Sequence, residues 1–279
     1  MIAVCIATYN QEAFIAQTIE SVLMQKCDEP IRIYIGDDAS KDGTSTICKQ
    51  YAHKDQRISY IQREHNEGLV NNTLNLYKRI IEDGCEYIAM LDGDDYWIDT
   101  NKLQLQIDYL HLHPNVGLVH TAAYDDIDGK LVDLESKDKT IGDLSLIYNY
   151  SGPHHTNSTV IFRTNLLHPK ELDAIKKQHF LALDYVLYGI FSQRTHFGYI
   201  NKHTAAWRNH TSVSQQDSFN SFVRYKKYRI RAWHWLDRLF PGRFHYHWIK
   251  AITLYTWQVL YAIVHYSKVY LKTTYSTVK

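Results

Sequence analysis

The chain has 279 residues, of which 45% are hydrophobic and 22% charged, and its mean hydropathy is −0.38. This composition is typical of a folded globular protein and excludes collagen-like, coiled-coil and disordered classes. Residues 224–279 contain 11 basic residues and one acidic residue, which gives them a charge of +10, whereas residues 1–223 carry −9. The length predicts one large domain or two small ones, and the charge division predicts different partners for the two parts.

Short β-branched runs alternate with helical patterns in the first hundred residues, as in a parallel sheet covered by helices. The predicted strands are nearly continuous apolar runs at Ile2–Ala7, Ile31–Asp37, Ile58–Gln62 and Tyr87–Leu91. Helices are predicted between them over residues 12–25, 44–52 and 69–81. Ligands of such sheets bind at the carboxyl ends of the strands, so residues 1–98 are expected to form a nucleotide-binding half.

The pattern is mixed from residue 99 to residue 215. It predicts helices over 101–113 and 181–191, strands over 116–124, 158–162 and 204–208, and a hairpin turn at Asp128-Gly129. A helical pattern begins at Phe219 and ends at Pro241-Gly242, and a second aromatic helix is predicted over 248–271. We therefore expect an α/β domain over 1–215, in two halves that meet near residue 98, and a helical tail over 216–279.

Three carboxylates follow the fourth predicted strand in the stretch Leu91-Asp92-Gly93-Asp94-Asp95. Carboxylates grouped in this way repel one another unless a cation is present. A hard divalent ion such as Mn²⁺ or Mg²⁺ binds carboxylate and phosphate oxygens together, so this pattern is typical of a site that holds a nucleotide diphosphate. The alternative is an acidic turn or a helix start, where Asp is also favoured.

Polar residues also follow the first two strands. Asp37-Asp38 ends the second strand, where a carboxylate can accept hydrogen bonds from a uracil imide or a ribose hydroxyl, or else belong to a helix cap. Thr8-Tyr9-Asn10 ends the first strand and offers a hydroxyl and an aromatic ring to a base, or else forms an ordinary turn with an Asn cap.

Four motifs occur in one order: Ala7-Thr8-Tyr9-Asn10, Asp37-Asp38-x-Ser40-x-Asp42-Gly43-Thr44, Asn66-x-Gly68 and Asp92-Gly93-Asp94-Asp95. Together they resemble the family 2 glycosyltransferases of the GT-A fold, in which helices flank a Rossmann-like, mainly parallel sheet. Residues 93–99 and 102–108 are similar to a bacterial branch that builds surface polysaccharides. The resemblance covers residues 2–214. It implies a metal-dependent inverting transferase of hexosyl or N-acetylhexosaminyl groups, with a UDP-sugar as donor and a glycan or lipid-linked hydroxyl as acceptor.

The resemblance also implies roles for residues of the first half. It places Thr8, Tyr9 and Asp38 around the base, with Asp38 on the uracil imide, and Asn72 beside the nucleotide. Asp94 or Asp95 is expected to ligate Mn²⁺ or Mg²⁺ directly, and Asp92 to contact the ribose or a water. The Ala-Arg-Asn that often follows the Asn-x-Gly loop is replaced here by Asn71-Asn72-Thr73.

The second half is expected to supply the base that deprotonates the acceptor hydroxyl. Asp184 matches the position of the family's catalytic Asp, although Leu183 precedes it where many relatives have Gly or Glu. Arg208 and His210 match a segment of the family that contacts diphosphate or metal. The residues alone leave two alternatives open: an Asp near a helix start, such as Asp184, is commonly a helix cap, and Arg208 is alternatively the partner of a structural carboxylate.

Basic residues alternate with Tyr and Trp over 224–279, a composition that suits an anionic membrane surface. The alternative is a helical hairpin that packs on the catalytic domain or joins two copies into a homo-oligomer, whereas the acidic first part argues against nucleic acid. Four cysteines without a C-x-x-C pair, and an amino terminus without a signal pattern, predict a cytoplasmic protein. We therefore expect it to lie peripherally on the inner face of the bacterial cell membrane.

Two rival functions follow from the same residues. A Mg²⁺-dependent phosphohydrolase also carries paired Asp at strand ends, but its nucleophilic Asp would follow the first strand, where Thr8-Tyr9-Asn10 stands. A non-catalytic membrane-associated scaffold would show a broken set of acids, whereas Asp38, Asp92, Asp94 and Asp184 are all present.

Overall fold

A computed structural model of the chain describes residues 1–133, 157–208 and 219–257, without the side chains of 219–222. The chain divides into two compact units, Met1–His210 and Thr211–Lys279. The predicted site residue His210 and the part of the predicted last helix beyond residue 257 lie outside the described residues.

The first unit is built on one curled sheet, to which the described residues contribute nine strands in the order β3-β2-β1-β4-β8-β6-β9-β5, with β7 paired to β6. The strands are β1 (Ile2–Thr8), β2 (Ile31–Asp37), β3 (Ile58–Gln62), β4 (Tyr87–Asp92), β5 (Tyr96–Trp97), β6 (Val116–Ile127), β7 (Lys130–Asp133), β8 (Ile161–Arg163) and β9 (His196–Arg208). This confirms the predicted α/β fold with a mostly parallel sheet.

Six helices of this unit lie within the described residues: α1 (Ile15–Leu23), α2 (Thr44–Lys54), α3 (Leu69–Glu82), α4 (Lys102–Leu112), α5 (Pro169–Lys176) and α6 (Asp184–Phe191). The predicted helix at 12–25 is wrong in its first turn, because residues 12–14 form a turn ahead of α1. The sequence analysis missed α5, although Pro169 at its first position and the buried pair Leu172 and Ile175 are helix signals.

The register of the parallel strands brings the predicted motifs to one edge of the sheet. Thr8 of β1 pairs with Asp37 of β2, and Ala7 pairs with Asp92 of β4. These strands are buried on both faces, because helices cover them, and they therefore hold the strand ends rigidly.

The second half of the sheet differs most from prediction. The strand predicted over 204–208 is the end of a longer strand, β9, which pairs parallel to β6 with three register irregularities. The strand predicted over 158–162 is displaced, since residues Asn157–Thr159 form a 3₁₀ turn and β8 begins at Ile161. The hairpin at Asp128-Gly129 is confirmed, with both residues at positive φ between β6 and β7.

The second unit contains α7 (Phe219–Leu239), followed by a turn at Pro241-Gly242 and helical residues 245–257. Trp233 of α7 stacks on Phe244, with 5.8 Å between the ring centroids. No helix among the described residues has both the length and the apolar character needed to cross a bilayer.

Candidate active site

The acidic loop after β4 holds one deeply buried carboxylate. Asp95 is 1% exposed, and its carboxylate accepts hydrogen bonds from the Ser158 hydroxyl at 2.5 Å and from the Arg208 backbone N–H at 3.0 Å. Burial, and then the charge of Asp94, raise the pKa of Asp95 to about 7. Both carboxylate oxygens of Asp95 thus tie the loop to residues of the second half of the unit.

Asp92 ends β4 and lies among other acids. Burial raises the pKa of Asp92 well above its ordinary value, and the carboxylates of Asp95, Asp94 and Asp184 raise it further. The structure therefore brings Asp184 close to the acidic loop, although it lies 89 positions after Asp95 in the chain. A local excess of negative charge is the electrostatic condition under which a cation binds.

Asn157 connects the two groups of acids. Its side-chain amide donates a hydrogen bond to the Asp184 carboxylate at 3.4 Å and also hydrogen-bonds the Asp92 carboxylate, while its oxygen accepts from the Tyr188 hydroxyl at 3.1 Å. Sequence analysis missed Asn157, for which the chain offers only the weak signal of a polar run before an apolar strand.

Asp184 is the first residue of α6 and is partly buried. Burial raises its pKa, and the hydrogen bond from Asn157 opposes that rise. A carboxyl group with a raised pKa beside other polar side chains has the properties of a general base.

Arg208, the last residue of β9, also lies at the acidic loop. Its guanidinium donates to the Asp94 backbone carbonyl and to the Gln17 side chain, and it stacks over the Tyr96 ring at 4.5 Å from the centroid. The pairing of the short strand β5 with β9 brings it there, because Tyr96 lies opposite Ala206. Arg208 therefore provides positive charge beside the carboxylates.

The Asp38 carboxylate joins two of the predicted motifs. It is 2% exposed and accepts hydrogen bonds from the backbone N–H groups of Glu67 and Gly68, both at 2.8 Å. Gly68 has a φ of +85°, a conformation that favours glycine and turns both N–H groups of the Asn66-Glu67-Gly68 loop toward Asp38.

The other residues predicted near the base differ in exposure. The Thr8 hydroxyl is buried and donates to the Gln11 side chain at 2.7 Å, whereas the Tyr9 ring, 42% exposed, is accessible to a ligand. Asn72 is buried on α3, where its amide donates to the Gly36 carbonyl at 2.7 Å and its oxygen accepts from Arg63 at 3.2 Å. Arg63, which follows β3 and was missed by the sequence analysis, is thereby held close to the ends of the strands.

The side chains that the structure describes do not by themselves form a complete metal site. Among the described residues, no three His, Cys, Asp or Glu side chains are arranged so that they could hold a metal ion together. Mg²⁺ in phosphate-transferring sites is commonly bound by one or two carboxylates together with substrate phosphates and water. The carboxylates at the end of β4 fit such a partial ligand set.

The sequence profile described as "Glycosyl transferase family 2" matches residues 3–167. The chain is 28% identical over 228 residues to the dTDP-rhamnosyl transferase RfbG of Shigella flexneri, which covers 79% of this chain and 77% of that protein. Uncharacterized proteins of Mycobacterium bovis and Mycobacterium tuberculosis are 37% identical over 109 residues, and the chain spans only 30% of their length.

Two solved structures share the fold. One is Staphylococcus aureus TarS in complex with UDP-GlcNAc, with a TM-score of 0.64, 20% identity, and coverage of 83% of this chain and 65% of that chain. The other is the mannosyltransferase PcManGT of Pyrobaculum calidifontis in complex with GDP-Man and Mn²⁺, with a TM-score of 0.58, 14% identity, and coverage of 85% and 64%.

Proposed function

Because the chain belongs to glycosyl transferase family 2, we propose that it is a divalent-metal-dependent, inverting glycosyltransferase. Its donor is a nucleotide-sugar, and its acceptor is a hydroxyl of a bacterial cell-surface glycan or of a lipid-linked precursor. The observation that supports this most directly is the meeting of the acids at the end of β4 with Asp184 at the start of α6, through Asn157.

The acidic loop is the proposed site for Mn²⁺ or Mg²⁺ and the donor diphosphate. We assign Asp94 as the first metal ligand, because the Asp95 carboxylate already holds Ser158 and Arg208. When bound, the metal would stabilise the charge of the departing diphosphate. Arg208 would add positive charge at the same place, and the contribution of His210 stays a prediction.

Asp184 is the proposed general base. Inverting transfer requires a group that removes the proton of the acceptor hydroxyl as that oxygen attacks the sugar. Asn157 holds the Asp184 carboxylate beside Asp92, which places the proposed base next to the donor site. The raised pKa of Asp184 makes it a stronger base than an exposed aspartate.

The base of the nucleotide is proposed to lie against Tyr9, with Asp38 toward its imide. Uracil and thymine share that imide edge, whereas guanine presents a different pattern of donors. The similar proteins differ in their nucleotide: one is named a dTDP-rhamnosyl transferase, and the two solved structures contain UDP-GlcNAc and GDP-Man. A binding measurement therefore identifies the nucleotide that this chain binds. We propose UDP.

Isothermal titration calorimetry with UDP, dTDP and GDP, in Mn²⁺ and in EDTA, tests the donor site. We expect UDP to bind in Mn²⁺, to bind weakly in EDTA, and to lose most of its affinity in Asp94→Ala. Asp108→Ala is the matched control, since Asp108 is an exposed carboxylate on α4. If dTDP or GDP binds more tightly than UDP, the proposed transferase activity stands, but the proposed donor is a dTDP-sugar or a GDP-sugar instead of a UDP-sugar.

The same titration distinguishes the rival function. If no nucleotide binds to the wild-type protein, the proposal of a transferase site is wrong and a non-catalytic scaffold is favoured. Metal-independent binding of UDP, equal in Asp94→Ala and wild type, would instead refute the role of the acidic loop. An assay with UDP-sugars then measures release of UDP, with and without an acceptor glycan.

A further inference from the structure

One face of α7 carries a continuous stripe of basic side chains. The exposed residues of the helix from Arg224 onward include Arg224, Lys227, Arg231, His234 and Arg238, which follow one another at steps of three and four residues. This spacing places them on one side of the helix over about 20 Å. Arg229, by contrast, is only 5% exposed and lies on the packed face. The tertiary structure thus selects which cations reach the solvent.

The acidic residue of this segment does not neutralise the stripe. Asp237, the one acid in 224–279, accepts a hydrogen bond from the Phe244 backbone N–H at 3.1 Å and pairs with the His245 ring at 3.3 Å. Asp237 therefore holds the turn between the two helices. Arg224, Lys227, Arg231 and Arg238 thus concentrate four positive charges along one face of the helix.

The second helix exposes large apolar side chains. Tyr246, Ile249, Ile252 and Trp257 are 66%, 45%, 36% and 64% exposed, and most of the same helix's other face is buried or half-buried. Isolated exposed apolar residues are ordinary on a protein surface, but a group on one helix face marks an interaction site.

The basic stripe and the apolar face adjoin. The His234 ring of the stripe lies against Trp248 of the second helix, with 4.9 Å between the ring centroids. Ile252 is four residues after Trp248 and therefore lies on the side of the helix that borders the stripe, and Ile249, three residues before Ile252, continues the apolar face away from it. A single helical hairpin therefore presents the basic stripe beside the apolar face.

We propose that this hairpin surface, residues 224–257, binds the headgroup region of an anionic lipid bilayer. The cations would lie at the level of the phosphates, while Ile249, Ile252 and the ring of Tyr246 enter the boundary of the acyl chains. Nucleic acid would use the stripe but would leave the aliphatic side chains exposed to water. An anionic lipid surface is the partner that matches both the basic stripe and the apolar face. This inference does not depend on the transferase activity.

Co-sedimentation of the full chain with lipid vesicles tests the proposal. We expect binding to vesicles of phosphatidylcholine with phosphatidylglycerol, weak binding to phosphatidylcholine alone, and weaker binding at high salt. The stripe variant Arg224→Glu/Lys227→Glu/Arg238→Glu should lose affinity about a hundredfold or more, since each cation near an anionic surface contributes about fivefold. The face variant Ile249→Ser/Ile252→Ser should also bind more weakly, with less dependence on salt.

A control variant separates the stripe from net charge. Lys54→Glu/Lys130→Glu/Lys177→Glu changes three exposed cations of the first unit and alters the total charge by the same amount. It should bind vesicles as the wild type does, and circular dichroism should show that all variants are folded. Equal loss in both triple variants, unchanged binding of the stripe variant, or binding of duplex RNA without binding of vesicles would each overturn the proposal.

Discussion

The buried side chain of Lys102, close to the candidate site, allows the effect of burial on a pKa to be tested directly. Its side chain is fully buried at the start of α4, where its ammonium donates a hydrogen bond to the Gln106 side chain at 2.5 Å and lies 4.4 Å from the centre of the Trp97 ring. Gln106 in turn donates to the Thr159 carbonyl at 2.8 Å, next to Asn157 and Ser158. Burial lowers the pKa of Lys102 to about 7, against a smaller opposing effect of Asp99.

The lowered pKa has a defined effect on stability. The unfolded chain binds the Lys102 proton up to the ordinary pKa of about 10.4, whereas the folded chain releases it from about pH 7. Between these values the unfolded state holds more protons, so the contribution of Lys102 to the free energy of unfolding rises with pH. The rise is about 4 kcal/mol over the whole interval and about 2 to 3 kcal/mol between pH 8 and pH 10. Contact with the Trp97 ring favours the charged form and reduces these values.

Urea unfolding of wild type and Lys102→Met between pH 7 and pH 10 measures this contribution. Burial raises the pKa of the Cys5 thiol and of the Tyr77 phenol, so these groups ionise in this pH range only in the unfolded chain. Their effects are present in both proteins and cancel in the difference between the two curves. We expect the wild type to gain stability relative to Lys102→Met as the pH rises. The exposed Lys130→Met should show no such trend. Parallel curves for wild type and Lys102→Met would refute the reasoning, because Lys102 would then carry the same charge in both states.

Two predictions concern the proposed chemistry. Asp184→Asn should reduce kcat by a factor of about 10² to 10⁴, as expected for loss of a general base, while calorimetry gives nearly unchanged nucleotide affinity; loss of that affinity would indicate a structural role instead. Asn157→Ala removes the hydrogen bonds to Asp92, Asp184 and Tyr188. It should lower kcat about tenfold, the free energy of one buried hydrogen bond, because only the bond to Asp184 orients the proposed base; the donor KM should change less. Tyr188→Phe, which keeps the contacts of Asn157 with both acids, is its matched control and should retain most of the activity. An unchanged kcat in Asn157→Ala would show that Asp184 does not need this contact.

The first four strands could be predicted nearly to the residue. β1, β2 and β4 are short apolar runs that are largely buried, and β3 is a half-buried edge strand of the same β-branched and aromatic type, so the local pattern and the tertiary environment agree. The same holds for the polar residues at the end of β1 and the acids at the ends of β2 and β4, because parallel neighbouring strands end at one edge of the sheet. Local patterns alone therefore indicated the family, and they supplied the residues of the proposed donor site.

The rest depends on contacts between distant parts of the chain. The length of β9 follows from its pairing with β6, about eighty residues earlier, and not from its own alternation of side chains. Asn157 and Arg63 are candidate site residues only because Asn157 contacts Asp184 and Arg63 contacts Asn72 in the folded chain. The contact of Asp38 with the Asn66-Glu67-Gly68 loop likewise exists only in the three-dimensional structure. The local periodicity of apolar residues does not predict which distant residues come into contact.

The fold class, the order of the motifs and the basic character of residues 224–279 follow from local patterns in the chain. Packing determines which charges are buried and which are exposed: Lys102 and Arg229 lie inside, while Arg224, Lys227 and Arg238 face the solvent. The physical reason is that a residue's type is a local property, whereas its burial, its pKa and its partners depend on what packs against it.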